Sequence, residues 1–254
     1  MTSVFSAKSF SFSDSITVPT PSSIPLISAA TRRRLRDIGL HSTRLGQSLL
    51  IGTVTTLVAF VIGYGVEILI GSRQGPVTIF LGAIDPKLGV TGGLMFALWM
   101  VGCNFVNSFM EEGLFRGLMI PLFRIKLSFW QTNWLQAILF GAWHLPWVIK
   151  YLIIGEIQTG GEIATSVLFN SIPQMLVGLV WGYFYLKTNS LWPCWISHTI
   201  ANTSSNLLHV TTAQGLNSGL PIRMSVYMVV MLLTIPLVKR LTAKHQMPEV
   251  EPWR

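Results

Sequence analysis

Three groups of residues could do chemistry together. They are Glu111-Glu112-xxx-Arg116, Phe140-xxx-His144 and His198-xxx-Asn202, in that order and each inside a long apolar stretch. An Asp, Glu, Lys or Arg near the centre of a bilayer costs about 2.5 to 3.5 kcal/mol, so each one in such a stretch demands a reason. If the first group is helical, Glu112 and Arg116 share a face and form a charge-assisted pair that lowers the cost of both. Glu111 is rotated by about 100° from Glu112 and is left free for chemistry. His198 and Asn202 point the same way from one helix and present two donors to one spot, an arrangement that suits an oxyanion. His144 follows Phe140 by one turn and precedes Pro146, which frees a carbonyl and bends a helix. Each group taken alone also reads as polar packing between helices, worth only about 0.6 kcal/mol per contact.

The elements that must position these groups are membrane-spanning helices. The chain has 254 residues, half of them hydrophobic and 11% charged, with a mean hydropathy of +0.54, a composition of the membrane class. Six segments have about the 20 apolar residues that a crossing needs: Leu45 to Ile70, Gly89 to Leu122, Trp134 to Ile154, Thr165 to Leu186, Leu191 to Leu208 and Met224 to Val238. The expected fold is therefore all-α, a polytopic bundle of about six spanning helices. Its domains read as a basic, Ser-rich, poorly ordered tail over 1–44, a transmembrane domain over 45–241 with its motif core over 89–208, and a C-terminal tail over 242–254. The moderately apolar stretch from Gly71 to Leu88 reads as a segment lying along the interface.

With both termini in the cytosol, fourteen Lys and Arg residues fall on the inner side and only Arg73, Lys87, Lys150 and Arg223 on the outer side, as the positive-inside bias requires. On this plan Glu111, His144 and His198 share the cytosolic half, within about 10 to 20 Å of that surface by helix rise. One site can contain them. Glu67 and His209 fall near outer ends and read as interfacial. Asn104, Asn107, Asn170 and Gln174 read as packing that could line a water path. Gly113 with Gly117, and Gly178 with Gly182, have the small-residue spacing of close helix contacts.

The net charge of +8 comes from basic residues between apolar runs and in the tails, so lipid headgroups rather than nucleic acid are the expected acidic neighbours. Cys103 and Cys194 both lie in apolar runs, which leaves neither a disulfide framework nor a CxxC metal site. The tail carries Arg32, Arg33, Arg34, Arg36 and Arg44 and few acids, as a cytosolic anchor or an organellar transit peptide would.

In this order on successive apolar segments, the three groups resemble the CAAX protease and bacteriocin-processing family of intramembrane peptidases, over about Gly89 to Leu208. The resemblance includes the Leu191-Trp192-Pro193 lead-in to the last motif. It implies that Glu111 takes a proton from water, that His144 orients this water, that His198 and Asn202 stabilise the oxyanion, and that Glu112, Arg116 and Phe140 support them. The implied substrates are membrane-associated peptides or prenylated proteins. No cofactor is expected, but Glu111, His144 and His198 would also make a two-His, one-carboxylate zinc set, although the HExxH helix of many zinc proteases is absent. Other expectations are a non-catalytic immunity or peptide-binding protein on the same scaffold, and a proton-coupled transporter, which would spread its polar residues across the whole membrane. The short chain and cytosolic tails point to a bacterial plasma membrane.

Overall fold

The computed structural model describes residues 34–85 and 90–253. Its helices are α1 (Leu45–Gly71), α2 (Leu94–Glu112), α3 (Ile120–Phe123), α4 (Phe129–Ala142), α5 (Leu145–Ile153), α6 (Gly160–Asn170), α7 (Ile172–Thr188), α8 (Trp192–Leu207) and α9 (Leu220–Lys244). A π-helical stretch, Gly113–Met119, joins α2 to α3 without interruption. The local sequence accounts for most of the starts. Pro146, Pro173, Pro193 and Pro221 occupy the first turns of α5, α7, α8 and α9, where a missing N–H costs nothing. Ser128 and Thr159 cap α4 and α6 and are answered three residues on by Gln131 and Glu162, as in a capping box.

Among the described residues four helical stretches are long and apolar enough to cross a membrane: Leu45–Gly71, Leu94–Phe123, Gly160–Thr188 and Leu220–Lys244. The other two expected spans differ from the sequence reading. The third is broken at Trp143 and His144 into α4 and α5, of 14 and 9 residues, because Pro146 cannot supply an N–H to continue the ladder. The fifth, α8, has 16 residues, about 24 Å at the usual rise. Of these, α8 is interior, whereas α4 and α5 leave Trp130, Trp134, Ile138, Ile149 and Ile153 exposed. α4 packs on α7, and α8 lies among α1, α2 and α7. Large side chains such as Leu94, Met95, Trp99 and Leu233 stay exposed on α2 and α9, as lipid-facing surfaces do in a membrane bundle.

The fold is mostly but not wholly helical. Three short strands form a sheet, β1 (Thr78–Leu81), β4 (Leu208–Thr212) and β5 (Gly215–Leu216), in the order β1-β4-β5. β1 runs antiparallel to β4 with Leu81 opposite Leu208. A separate hairpin joins β2 (Ala83–Asp85) to β3 (Val90–Gly92). All five lie in the two connections α1 to α2 and α8 to α9, so they gather at one end of the bundle. The stretch expected to lie along the interface therefore supplies β1 and β2, whose backbone groups pair with strands rather than with water.

The tails differ from expectation as well. Residues 1–33, with Arg32 and Arg33 of the Arg cluster, and Arg254 lie outside the described residues. Residues 34–44 are ordered, however, with a 3₁₀ turn at Leu35–Ile38 and a bond from the Leu191 amide to the Gly39 carbonyl. At the other terminus α9 continues to Lys244. The segment after it folds back, burying Met247 and Val250, donating from the Val250 amide to the Leu186 carbonyl and pairing Lys187 with Glu249.

Candidate active site

The centre of the bundle is aromatic. Phe140, Phe184 and Leu191 are fully buried, and Trp181 nearly so. α4 can approach α7 closely because Gly178 and Gly182 face it. A Cβ on Gly182 would run into the Asn133 and Gln136 side chains. Those amides use the exposed backbone, with Gln136 Nε2 donating to the Gly178 carbonyl (2.9 Å) and Asn133 Nδ2 to the Leu179 carbonyl (3.0 Å). The Gly178 carbonyl also faces Arg116 Nη2, at 3.4 Å.

Glu112 and Arg116 are both fully buried, and Nη1 meets Oε1 at 3.1 Å. The guanidinium lies 4.2 Å over the Phe140 ring, a face that attracts a desolvated cation. Two turns of sequence reasoning thus hold in space: the i, i+4 pair forms, and Glu111 points elsewhere. The π-helical stretch begins directly after the pair, and such widened turns are frequent at functional sites.

His198 joins the two carboxylates. Its Nδ1 lies 2.8 Å from Glu112 Oε1 and its Nε2 lies 3.8 Å from Glu111 Oε2. Its ring stacks on Trp181, with centroids 4.4 Å apart and planes 24° from parallel. Trp181 is fixed in turn by its indole N–H, which donates to Ser197 Oγ at 2.7 Å. His198 thus presents Nδ1 to the Glu112 carboxylate that Arg116 also bonds, and Nε2 is the end turned toward Glu111. Glu111 is held from behind by Asn107, whose Nδ2 donates to Oε1 at 3.0 Å. Oε2 is buried with no hydrogen-bond partner among the described residues.

His144 sits in the break between α4 and α5, with Nδ1 2.8 Å from the Phe140 carbonyl. Phe140 lies between the two histidines, its ring 5.0 Å from His144 and 6.1 Å from His198. Asn202 is half-buried, one turn beyond His198 on α8. Glu111, Glu112, Arg116, Phe140, His144 and His198 are thus linked through one aromatic hub, and Asn202 is next to it along the helix. For zinc, the residues do not fit as placed: among the described residues no three His, Cys, Asp or Glu side chains are grouped to hold an ion.

Trp181, Asn133 and Gln136 carry weight that the sequence reading gave to core packing or passed over. The only signal for them was the Gly178 and Gly182 spacing on the facing helix. Two other expectations are corrected. Glu67 is not interfacial but buried, with Oε2 3.1 Å from Nη1 of a buried Arg223, whose guanidinium lies 4.3 Å over Tyr64. His209 is buried in β4, its Nε2 near the Gly82 and Asn206 carbonyls and its Nδ1 2.9 Å from the Asn217 amide. A buried charge needs a partner, and each of these has one from a distant part of the chain.

No curated protein and no solved structure matches the chain. One family model does, described as type II CAAX prenyl endopeptidase Rce1-like, over residues 93–204. That interval starts just before α2, ends within α8 and encloses the whole charged cluster. Over residues 93–204 the chain is therefore similar to the Rce1-like type II CAAX prenyl endopeptidases.

Proposed function

We propose that this protein is an intramembrane endopeptidase that cleaves peptide bonds of membrane-associated or lipid-modified, CAAX-like substrates with water activated by Glu111. The observation that carries the reading is the 3.8 Å separation of Glu111 Oε2 from His198 Nε2. It is too long for a direct hydrogen bond, and it lets one water oxygen reach both atoms. Asn107 occupies the other carboxylate oxygen, so Oε2 is the one presented. Glu111 takes the proton as the water oxygen bonds to the scissile carbonyl carbon, and His144 helps to orient that water. The resulting oxyanion accepts hydrogen bonds from His198 Nε2–H and the Asn202 amide. The proton held by Glu111 then passes to the leaving nitrogen as the C–N bond breaks.

The cluster sets two carboxylates, Glu111 and Glu112, against Arg116 and His198, which suits a buried site. Glu112 and Arg116 act by holding His198 and the helix, out of contact with substrate.

A panel of fluorogenic peptides, with and without a prenylated cysteine, tests the reading on purified wild type and Glu111→Gln, each with and without a strong zinc chelator. The glutamate mechanism expects cleavage by wild type, loss in Glu111→Gln and indifference to chelator. Chelator-sensitive cleavage would favour a zinc enzyme built on Glu111, His144 and His198. Folded wild type that cleaves no peptide would favour the non-catalytic peptide-binding reading.

A further inference from the structure

A line of polar side chains leads away from Glu111 toward the strand-capped end of the bundle. On α2, Asn104, Asn107 and Glu111 recur at helical spacing on one face. On α8, Asn202, Thr203 and Asn206 are half-buried and face them. Asn104 Nδ2 donates to Asn206 Oδ1 at 3.1 Å and lies 3.5 Å from Thr203 Oγ1. Asn206 Nδ2 donates to the Ile84 carbonyl of β2 at 3.2 Å, and its own carbonyl faces His209. The row thus runs from the charged cluster to the sheet, along a helix whose other faces carry exposed Leu98, Trp99, Phe105 and Val106.

Packing alone does not account for the row. Amides and hydroxyls are costly against hydrocarbon unless each finds a partner. The Asn202 side chain has no hydrogen-bond partner among the described residues, and buried Glu111 Oε2 is likewise without one. Both lie on this seam. Buried or half-buried polar groups are satisfied by protein or by water, and hydrolysis at Glu111 consumes one water per bond cleaved.

We infer that the α2–α8 seam is a hydrated path, open at the strand-capped end, that delivers water to Glu111 past Asn206, Thr203, Asn104 and Asn107. The delivery part rests on the proposed hydrolytic role of Glu111. The hydration part does not.

Cysteine labelling in sealed vesicles separates the two. In a Cys103→Ala background, with Cys194 left in the core, Thr203→Cys is compared with Val106→Cys, which lies on the opposite face of α2 at similar depth. A membrane-impermeant cationic methanethiosulfonate is added from the strand-capped side. Thr203→Cys is expected to react at least about 100-fold faster than Val106→Cys, because only the thiolate reacts and hydrocarbon suppresses it. Equal rates, or labelling of Thr203→Cys only from the other side, would overturn the path. If the label enters, Thr203→Leu, which blocks the seam one turn beyond the site, is expected to lower kcat at least about tenfold on a peptide substrate while KM stays within about twofold, as for a step after binding. Unchanged kcat in a folded Thr203→Leu protein would overturn delivery while leaving hydration standing. A protein that labels as expected but cleaves nothing would count against the protease reading and not against the hydrated seam.

Discussion

At the residue scale the site is a hydrogen-bonded cluster whose members differ in what their loss should do. The half-buried Asn202 side chain has no hydrogen-bond partner to lose among the described residues, so Asn202→Ala should leave thermal stability within about 0.5 kcal/mol, as for changes away from packed networks. Its kcat should fall about 100 to 1,000-fold, the usual cost of one oxyanion donor. Peptide kinetics beside a melting curve would check both halves, and a stability loss without a kcat loss would remove Asn202 from the site. Arg116 is the opposite case. Arg116→Met strands Glu112 in the core and should cost about 3 to 5 kcal/mol, whereas Arg116→Met with Glu112→Leu should recover most of it, read as melting temperature in detergent. The Glu112–Arg116 pair was legible from spacing because both partners sit on one helix. The Glu112–His198 bond was not, since nothing in a sequence states which helix packs against which. Glu67 was misread for the same reason, its partner Arg223 lying at the far end of the chain.

At the scale of elements, α4 and α7 show how the site is scaffolded. Gly182→Ala drives a methyl group into Asn133 and Gln136, whose amides hold the α7 backbone beside Trp181 and Arg116. Overpacking of this kind costs about 1 to 3 kcal/mol. Its expected signature is a lower melting temperature together with reduced peptide cleavage, because the backbone that shifts carries the Gly178 carbonyl facing Arg116. Gly46→Ala, on a glycine with open space around it, should change neither. Glycine spacing signalled this contact in the sequence. The five strands gave no such signal, each being two to five residues long, too short for alternation to stand out from an apolar connection. The break at His144 was half-legible, since Pro146 announced a bend but not that the helix would stop.

At the scale of the whole molecule, the first and last described segments both dock on the side opposite the strands. The Gly39 carbonyl takes the Leu191 amide, and the Val250 amide reaches Leu186, on either side of the α7–α8 turn. Val250 is buried in the main core, so Val250→Asp should destabilise the bundle by about 2 to 4 kcal/mol, the cost of an unpaired polar group replacing buried apolar surface. Chemical denaturation in mild detergent would measure it, and a neutral result would show that the segment after α9 is an ornament on an independent bundle. Nothing in the composition of residues 245–253 marked them as core, because a few apolar residues among prolines and acids read as a tail.

The widened turn between Glu112 and Met119 has one further consequence, for insertions and deletions. A π-helical stretch accommodates more residues per turn than the α-helix on either side of it. Removing one residue, Leu118 for example, would let the backbone close into a regular α-helix and keep every main-chain bond, yet everything beyond would turn relative to Glu111. A substitution at Leu118 would be a local event. Its deletion would leave a helix that is well formed and wrongly phased, so at Leu118 a change of residue type should be tolerated far better than a change of length.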